Sequence, residues 1–397
     1  MSESLVPSEV LSLEAEYFDN ADFQGEPRLK RAEPRIYMNY DVRDQAQAAA
    51  IPRRPFSVRW SGSLKAPYTG EYTLGAQSAR VFLDDKEVVG ANAEMSASRR
   101  FREARVPLEA GHTYRLRVEY RQTGMAAGTQ LVWIPPAGPM LAEAVDAVKS
   151  AGAAVVFVGL NSNLEGEEMR VTIPGFAGGD RTDLKLPEPQ EKLLDAALDT
   201  GKPVIVVLMS GSALAATRAQ ERAAAVLEAW YGGEEAGTAI AETLAGANNP
   251  AGRLPVTFYR GVDQLPPFDD YAMKGRTYRY FTGEALYGFG YGLSYSTFRY
   301  SNLKAGRTTK GARVSVRVKN DSSRPGDEVV QLYVSGTQGA DNAIRQLRGF
   351  RRIHLAAGES RDVEFTLAPE DLPEPKMRIS VGGGQPVGAV PHVDSTL

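Results

Sequence analysis

Apolar residues in this sequence obey two spacing rules, and the rule changes twice along the chain. Up to about Pro135, short runs such as FSVRWSGSL, GEYTLGA, RVFLDDKEVV and HTYRLRVEY alternate apolar and polar positions and are broken by Gly, Pro and Asp. A period of two belongs to a strand with one wet face, so this stretch predicts an antiparallel β-sandwich or barrel. In HTYRLRVEY, Tyr114, Leu116, Val118 and Tyr120 fall on the core face, with Arg115, Arg117 and Glu119 facing out. Trp60 and Trp133 lie in strands of the same stretch and are expected in its core.

After IPPAGP the texture changes. Leu141, Ala144, Val145 and Val148 recur at helical spacing and lead into the continuous apolar run AAVVFVGL. The alternation repeats with EPQEKLLDAALDTG and PVIVVLM, then with AAAVLEAW and EEAGTAIAETLAG. Continuous apolar strands between helices predict a parallel sheet covered on both faces. From Asn248 to Ser301 the chain is rich in Gly, Pro and Tyr with little periodicity, as in a long surface connector. Period two then returns in ARVSVRVKN, DEVVQLYVS and SRDVEFTL, the pattern of a small immunoglobulin-like or fibronectin-like sandwich. The predicted class is multidomain α/β plus all-β.

A length of 397 residues agrees with roughly two to three domains. Lys and Arg total 46 against 49 Asp and Glu, which leaves no basic footprint for nucleic acid. There is no cysteine and there are three histidines (His112, His354, His392), scattered without metal-ligand spacing. Neither a metal nor an organic cofactor is implied. The longest apolar runs fall well short of the ~20 residues of a membrane helix, so no membrane partner is expected. The opening MSESLVPSEV has no signal-peptide pattern, so periplasmic or secreted placement would need a signal elsewhere.

The chemistry concentrates in the loop after the first parallel strand, GLNSNLEGEEMRVTIPGFAGGDRTDLKLPEPQ. Ligands of parallel α/β sheets gather outside the carboxyl ends of strands, where this loop begins. It carries Glu165, Glu167 and Glu168 within four positions. Two readings are open: a solvated acidic turn, or a cluster whose mutual repulsion keeps one carboxyl protonated and able to donate. Asp180 and Arg181 are likewise either surface charges or part of a site. The aromatics of TYRYFTGEALYGFGYGLSYSTF either stack on sugar rings or pack the connector. Trp230, at the end of its strand, could face either way.

LEGEE, GGDRTDLKLPEPQEKLL, GKPVIVVLMSGSAL, VLEAWYGGEEAGTAIAETLAGANNPAGRLPVTFY and TYRYFTGEALYGFGYGLSYSTFRYS closely resemble the second half of family 3 glycoside hydrolases. DEVVQLYVS, RQLRGFRRIHLAAGES and VEFTL resemble the fibronectin type III domain that ends many members. EAEYFDN, FSVRWSGSLKAPYTGEYTL, AGHTYRLRVEY and LVWIPP resemble the protective-antigen-type β-sandwich module that some members carry inserted beside the active site. The resemblance implies a protective-antigen-type module over 1–137, a parallel α/β sandwich domain over 138–260, a connector over 261–299 and a fibronectin type III-like domain over 300–397.

It further implies a retaining exo-acting β-glycosidase of the glucosidase or xylosidase kind, acting on a β-linked oligosaccharide or glycoside. In such enzymes an Asp nucleophile sits on an N-terminal barrel and a Glu acid/base on the α/β domain. The acid/base is typically the second Glu of an E-x-E pattern shortly before an Asp-Arg pair. That assigns Glu167, with Glu168 and Glu165 as alternates and Asp180 and Arg181 in support. Many relatives place Asp-Arg almost directly after the second Glu, whereas here MRVTIPGFAGG intervenes. No stretch resembles the barrel, nor the first strand and helix expected before the inserted module. The chain is therefore expected to supply the acid/base and to need a barrel domain or companion subunit for the nucleophile. The rival expectation is a non-catalytic carbohydrate-binding or scaffolding protein derived from such an enzyme; retention of the LEGEE loop favours the enzyme.

Overall fold

The structure, a computed structural model, describes residues 4–39, 55–96, 101–122, 128–162, 164–168, 171, 173–336 and 343–397. The chain is sheet-rich with few helices and divides into two compact units. One comprises Met1–Ala154, Ser162–Arg181 and Pro187–Val204, and the other Val155–Asn161, Thr182–Leu186 and Ile205–Leu397.

In the first unit the alternating runs form two antiparallel sheets. One contains Leu11–Phe18, Phe56–Lys65, Thr113–Gln122 and Ala79–Leu83 at its centre, and the other Gly128–Ile134, Gly70–Ala76 and Arg102–Leu108. Their inward side chains share one apolar core that includes Trp60 and Trp133, as expected. The hairpin between Leu83 and Lys86 turns on Asp84 and Asp85, both with positive φ (48° and 67°). Such a two-residue turn matches strand twist, and the short Asp side chains tolerate it. Asp84 also accepts the Arg115 N–H at 2.9 Å, tying the turn to the next strand.

The outward placement of Glu119 needs correction: it is buried, at 7% exposure. The Arg117 guanidinium lies 3.9 Å from the centre of the Phe82 ring, and Arg59, Arg80 and Arg117 all pair with Glu119. The long arginine stems cover that face and enclose the carboxylate, which alternation alone does not reveal. Helices α1 (Ala137–Ser150) and α2 (Glu188–Asp199) pack together in this unit, and the Tyr68 hydroxyl bonds Glu143 of α1.

The second unit holds a three-stranded sheet, β1 (Ala154–Gly159), β2 (Val204–Met209) and β3 (Ala225–Glu228), in that order, apart from the leading residues of β1 and β2. Leu160 N–H donates to Met209 O at 2.7 Å and Ala154 N–H to Pro203 O at 2.9 Å, a constant offset that means parallel pairing. The β2–β3 pairing is parallel too. Helix α3 (Thr217–Arg222) precedes β3, and α4 (Ala236–Ala245) follows it. Sequence reading missed α3, since six residues are too few to show helical periodicity.

The expectation of a sheet covered on both faces fails at β1. Val156 and Val158 are buried, while Val155 and Phe157 are 42% and 52% exposed. On that face the two side chains are only partly covered, so the continuous apolar run is half core and half exposed. The C-terminal sandwich pairs Phe298–Thr308, Gly311–Asn320 and Ser360–Leu367 in one sheet, with Gln346–Leu355, Gly326–Ser335, Arg378–Gly382 and His392–Thr396 in the other. Its core is Val- and Leu-rich, as the alternation requires.

Candidate active site

The candidate loop leaves the carboxyl end of β1 through Gly159. There φ is 156°, and a Cβ would lie 1.7 Å from Met209 O. Only glycine lets β1 run this close to β2 before the chain turns away. Within the loop Leu164, Val171 and Phe176 are buried anchors. Met169, Arg170 and Thr172 lie outside the described residues.

The two sequence signals, Glu-Gly-Glu and Asp-Arg, are brought together by backbone packing. Phe176–Ala177 pairs antiparallel with Asp180–Arg181, turning on Gly178 and Gly179 at φ 63° and 95°. This hairpin tip rests on the other segment: a Cβ on Gly179 would meet Gly166 O at 1.7 Å. Asp180 thus follows a residue seated on the glycine between Glu165 and Glu167. Arg181 lies over the Phe176 ring, 5.6 Å from its centre, which orients it from within the hairpin.

Glu165 is half-buried and engaged by other groups. Glu167 and Glu168 are exposed, and Glu168 adopts φ 50°, a left-handed backbone that costs a non-glycine residue on the order of 1 kcal/mol. Both carboxylates are therefore open to solvent. Among the described residues no group of three or more His, Asp or Glu side chains is arranged to hold a metal.

A fourth glutamate escaped sequence reading. Glu228 closes β3. Its Oε1 accepts the Trp230 N–H at 3.1 Å, and its Oε2 is buried without a hydrogen-bond partner among the described residues. Burial pushes the carboxyl up to about 7, opposed by the Trp230 N–H. Trp230 is partly buried at φ 53°, its ring edge-on to Phe258, which meets Tyr287; Tyr287 stacks on Tyr291 and bonds Gln220 through its hydroxyl. Burial raises the Tyr287 phenol to about 12. The available signal was an acidic residue ending the apolar strand AAAVLEAW. The connector aromatics likewise pack on one another, with Tyr278 stacked on Phe289 at 4.3 Å and edge-on to Tyr333.

Residues 43–295 match the glycosyl hydrolase family 3 C-terminal domain, and residues 328–373 a fibronectin type III-like domain. The chain is 35% identical over 377 residues to a xylan 1,4-beta-xylosidase of Xylanibacter ruminicola, a match covering 94% of this chain and 43% of that protein. It is 37% identical over 262 residues to a periplasmic beta-glucosidase of Salmonella typhimurium, covering 61% of this chain and 33% of the other. A solved beta-glucosidase from Kluyveromyces marxianus, in complex with glucose, superposes with a TM-score of 0.71 at 26% identity, over 97% of this chain and 49% of that one. The chain thus spans less than half the length of these relatives, and within that span it belongs to glycoside hydrolase family 3.

Proposed function

We propose that this chain supplies the acid/base side of a retaining exo-acting β-glycosidase, of the β-glucosidase or β-xylosidase kind, whose nucleophile is carried on a barrel outside these 397 residues. The seating of Gly179 on Gly166 carries this reading, because it sets Asp180 and Arg181 beside Glu165-Gly166-Glu167 despite the intervening stretch. Glu167 is the proton donor. It protonates the departing glycosidic oxygen while the barrel Asp attacks the anomeric carbon. It then takes a proton from the water that hydrolyses the glycosyl-enzyme. Carboxyl groups about 5 to 5.5 Å apart suit this double displacement. Glu168 and Glu165 are the alternates, and Asp180 with Arg181 orients the loop.

In this reading residues 1–137 are a protective-antigen-type module bordering the substrate, 138–260 the α/β domain, 261–299 a connector and 300–397 the fibronectin type III-like domain. The test is hydrolysis of aryl β-glucosides and β-xylosides by the chain alone and with a family 3 barrel added as a second polypeptide. Background rates alone and turnover on mixing are expected. Turnover by the isolated chain would refute the division of the site. Glycan binding without turnover in the mixture would favour a carbohydrate-binding protein instead.

A further inference from the structure

In the C-terminal sandwich the strand Gly326–Ser335 ends on a serine flanked by two arginines. Ser335 pairs with Arg378, the first residue of Arg378–Gly382, on one side. On the other side Val334 pairs with Gln346, so the next step of the register sets Arg345 against Ser335. Residues in one register row share a face of the sheet, and neighbouring strands lie ~4.8 Å apart. The two arginines therefore start about 10 Å from each other with the serine between them. Arg345 stands on a fixed backbone, because Ile344 N–H donates to Arg279 O at 2.7 Å and Leu347 N–H to the Tyr278 hydroxyl at 3.1 Å.

Arg345 is half-buried, and among the described residues it has neither an ion pair nor a hydrogen bond. The other arginines around it have carboxylates: Arg348 pairs with Asp371 at 3.3 Å and Arg352 with Asp327 at 2.7 Å. Arg378 pairs with Asp394 at 2.6 Å, and Asp394 also accepts the Ser380 hydroxyl at 2.5 Å, which commits that carboxylate away from Arg345. Burial lowers the Arg345 guanidinium below the usual arginine range; the Tyr333 hydroxyl opposes this and the like charge of Arg378 adds to it. A guanidinium keeps its proton regardless, so a half-buried one without a counter-charge carries a desolvation penalty that an anion would offset. The surrounding charge has the right sign. Residues 300–397 hold 14 Lys and Arg against 11 Asp and Glu, whereas the whole chain holds 46 against 49.

We propose that Arg345, Ser335 and Arg378 form an oxyanion site on the C-terminal sandwich. Planar guanidinium forks offer paired N–H donors that match two oxygens of a carboxylate or a phosphate. Arg345 supplies the unneutralised charge, Ser335 a hydroxyl donor between the forks, and Arg378 a second fork shared with Asp394. The ligand is a small molecule or glycan bearing one such group, either the carboxylate of a uronic acid or free phosphate. None of these residues belongs to the candidate loop, so the site stands or falls apart from the glycosidase reading.

Isothermal titration calorimetry of the whole chain at constant ionic strength compares sodium glucuronate, sodium phosphate and glucose, the neutral analogue of glucuronate. Saturable one-to-one binding of at least one anion, and none of glucose, is expected. Arg345→Met should weaken that binding about 10-fold or more, and Arg345→Lys, which keeps the charge and loses the fork, should weaken it less. Arg313→Met, at an exposed arginine of the other sheet, should change nothing. Without ligand, Arg345→Met should melt at the wild-type temperature or above it, because an unpaired charge has been removed. Glucuronate binding alone identifies a uronic acid as the ligand, phosphate binding alone identifies free phosphate, and binding of both makes the oxyanion itself the recognised group. The site is overturned by no saturable binding of either anion, by equal binding of glucose, or by undiminished binding in Arg345→Met. Equal weakening in Arg313→Met would also overturn it, as the mark of an adventitious ion only. So would a melting temperature several degrees lower in Arg345→Met, since the guanidinium would then serve a partner within the fold.

Discussion

Arg253 Nη2 donates to both carboxylate oxygens of Glu328, each at 3.1 Å, and both side chains are buried. Glu328 Oε1 also accepts the Tyr300 hydroxyl at 3.0 Å, and Arg253 Nε donates to Gly383 O at 3.1 Å. The pair joins the start of the connector to the C-terminal sandwich. Burial raises both the Glu328 carboxyl and the Tyr300 phenol, and Arg253 opposes both effects.

Removing one partner strands the other charge. Arg253→Ala is expected to cost about 3 to 5 kcal/mol, measured by urea unfolding, whereas Arg253→Met with Glu328→Leu should cost far less. An equal loss in single and double variants would show that shape, rather than charge, sets the requirement.

Glu228 should make stability depend on pH in a defined window. Below about pH 4.5 the carboxyl is protonated in the folded and unfolded chain alike. Between there and about 7 only the folded chain keeps its proton, so stability falls as pH rises and levels off above that point. The span is at most roughly 3 kcal/mol. Unfolding free energies at pH 5 and 8 should differ less in Glu228→Gln than in wild type; an unchanged difference would refute the assignment.

Glu167→Gln in a complex with the barrel should separate substrates by leaving group. Nitrophenolate departs without a proton, so aryl glycosides should lose little in their glycosylation step. Disaccharides should lose about 100- to 10,000-fold. Single-turnover kinetics distinguish this from loss of binding. The same signature in Glu168→Gln or Glu165→Gln would move the proton donor to that residue.

Gly179→Ala should disturb the site without unfolding the chain. A methyl group 1.7 Å from Gly166 O forces the hairpin off its seat, at φ 95° where alanine is strained anyway. Shifting the loop by ~1 Å would lower activity of the complex about 100-fold. Circular dichroism should stay unchanged, and activity equal to wild type would mean that the contact is dispensable.

Much of the architecture was legible because alternation and continuous apolar runs report burial directly. Leu116, Val118 and Tyr120, and the run Val204 to Met209, behave as their patterns require. Burial created by side chains reaching across a face was not legible. Glu119 lies under three arginines, and Glu228 is polar within an apolar strand, so each depends on neighbours distant in sequence. β1 failed in the opposite sense, since an apolar run states a need for cover without stating what provides it. In the candidate site, Glu165, Glu167, Asp180 and Arg181 were visible as residues, but the insertion hid their proximity. That proximity depends on Gly179, seated on the carbonyl of Gly166.

The Gly179–Gly166 seat separates the length of the loop from its chemistry. One backbone contact seats Gly179 on Gly166, so residues added or deleted between the two segments would leave the spacing of Glu167 from Asp180 unaltered. On the proposed assignment of Glu167, insertions between the two segments would reshape the surface around the proton donor while its own setting is held constant.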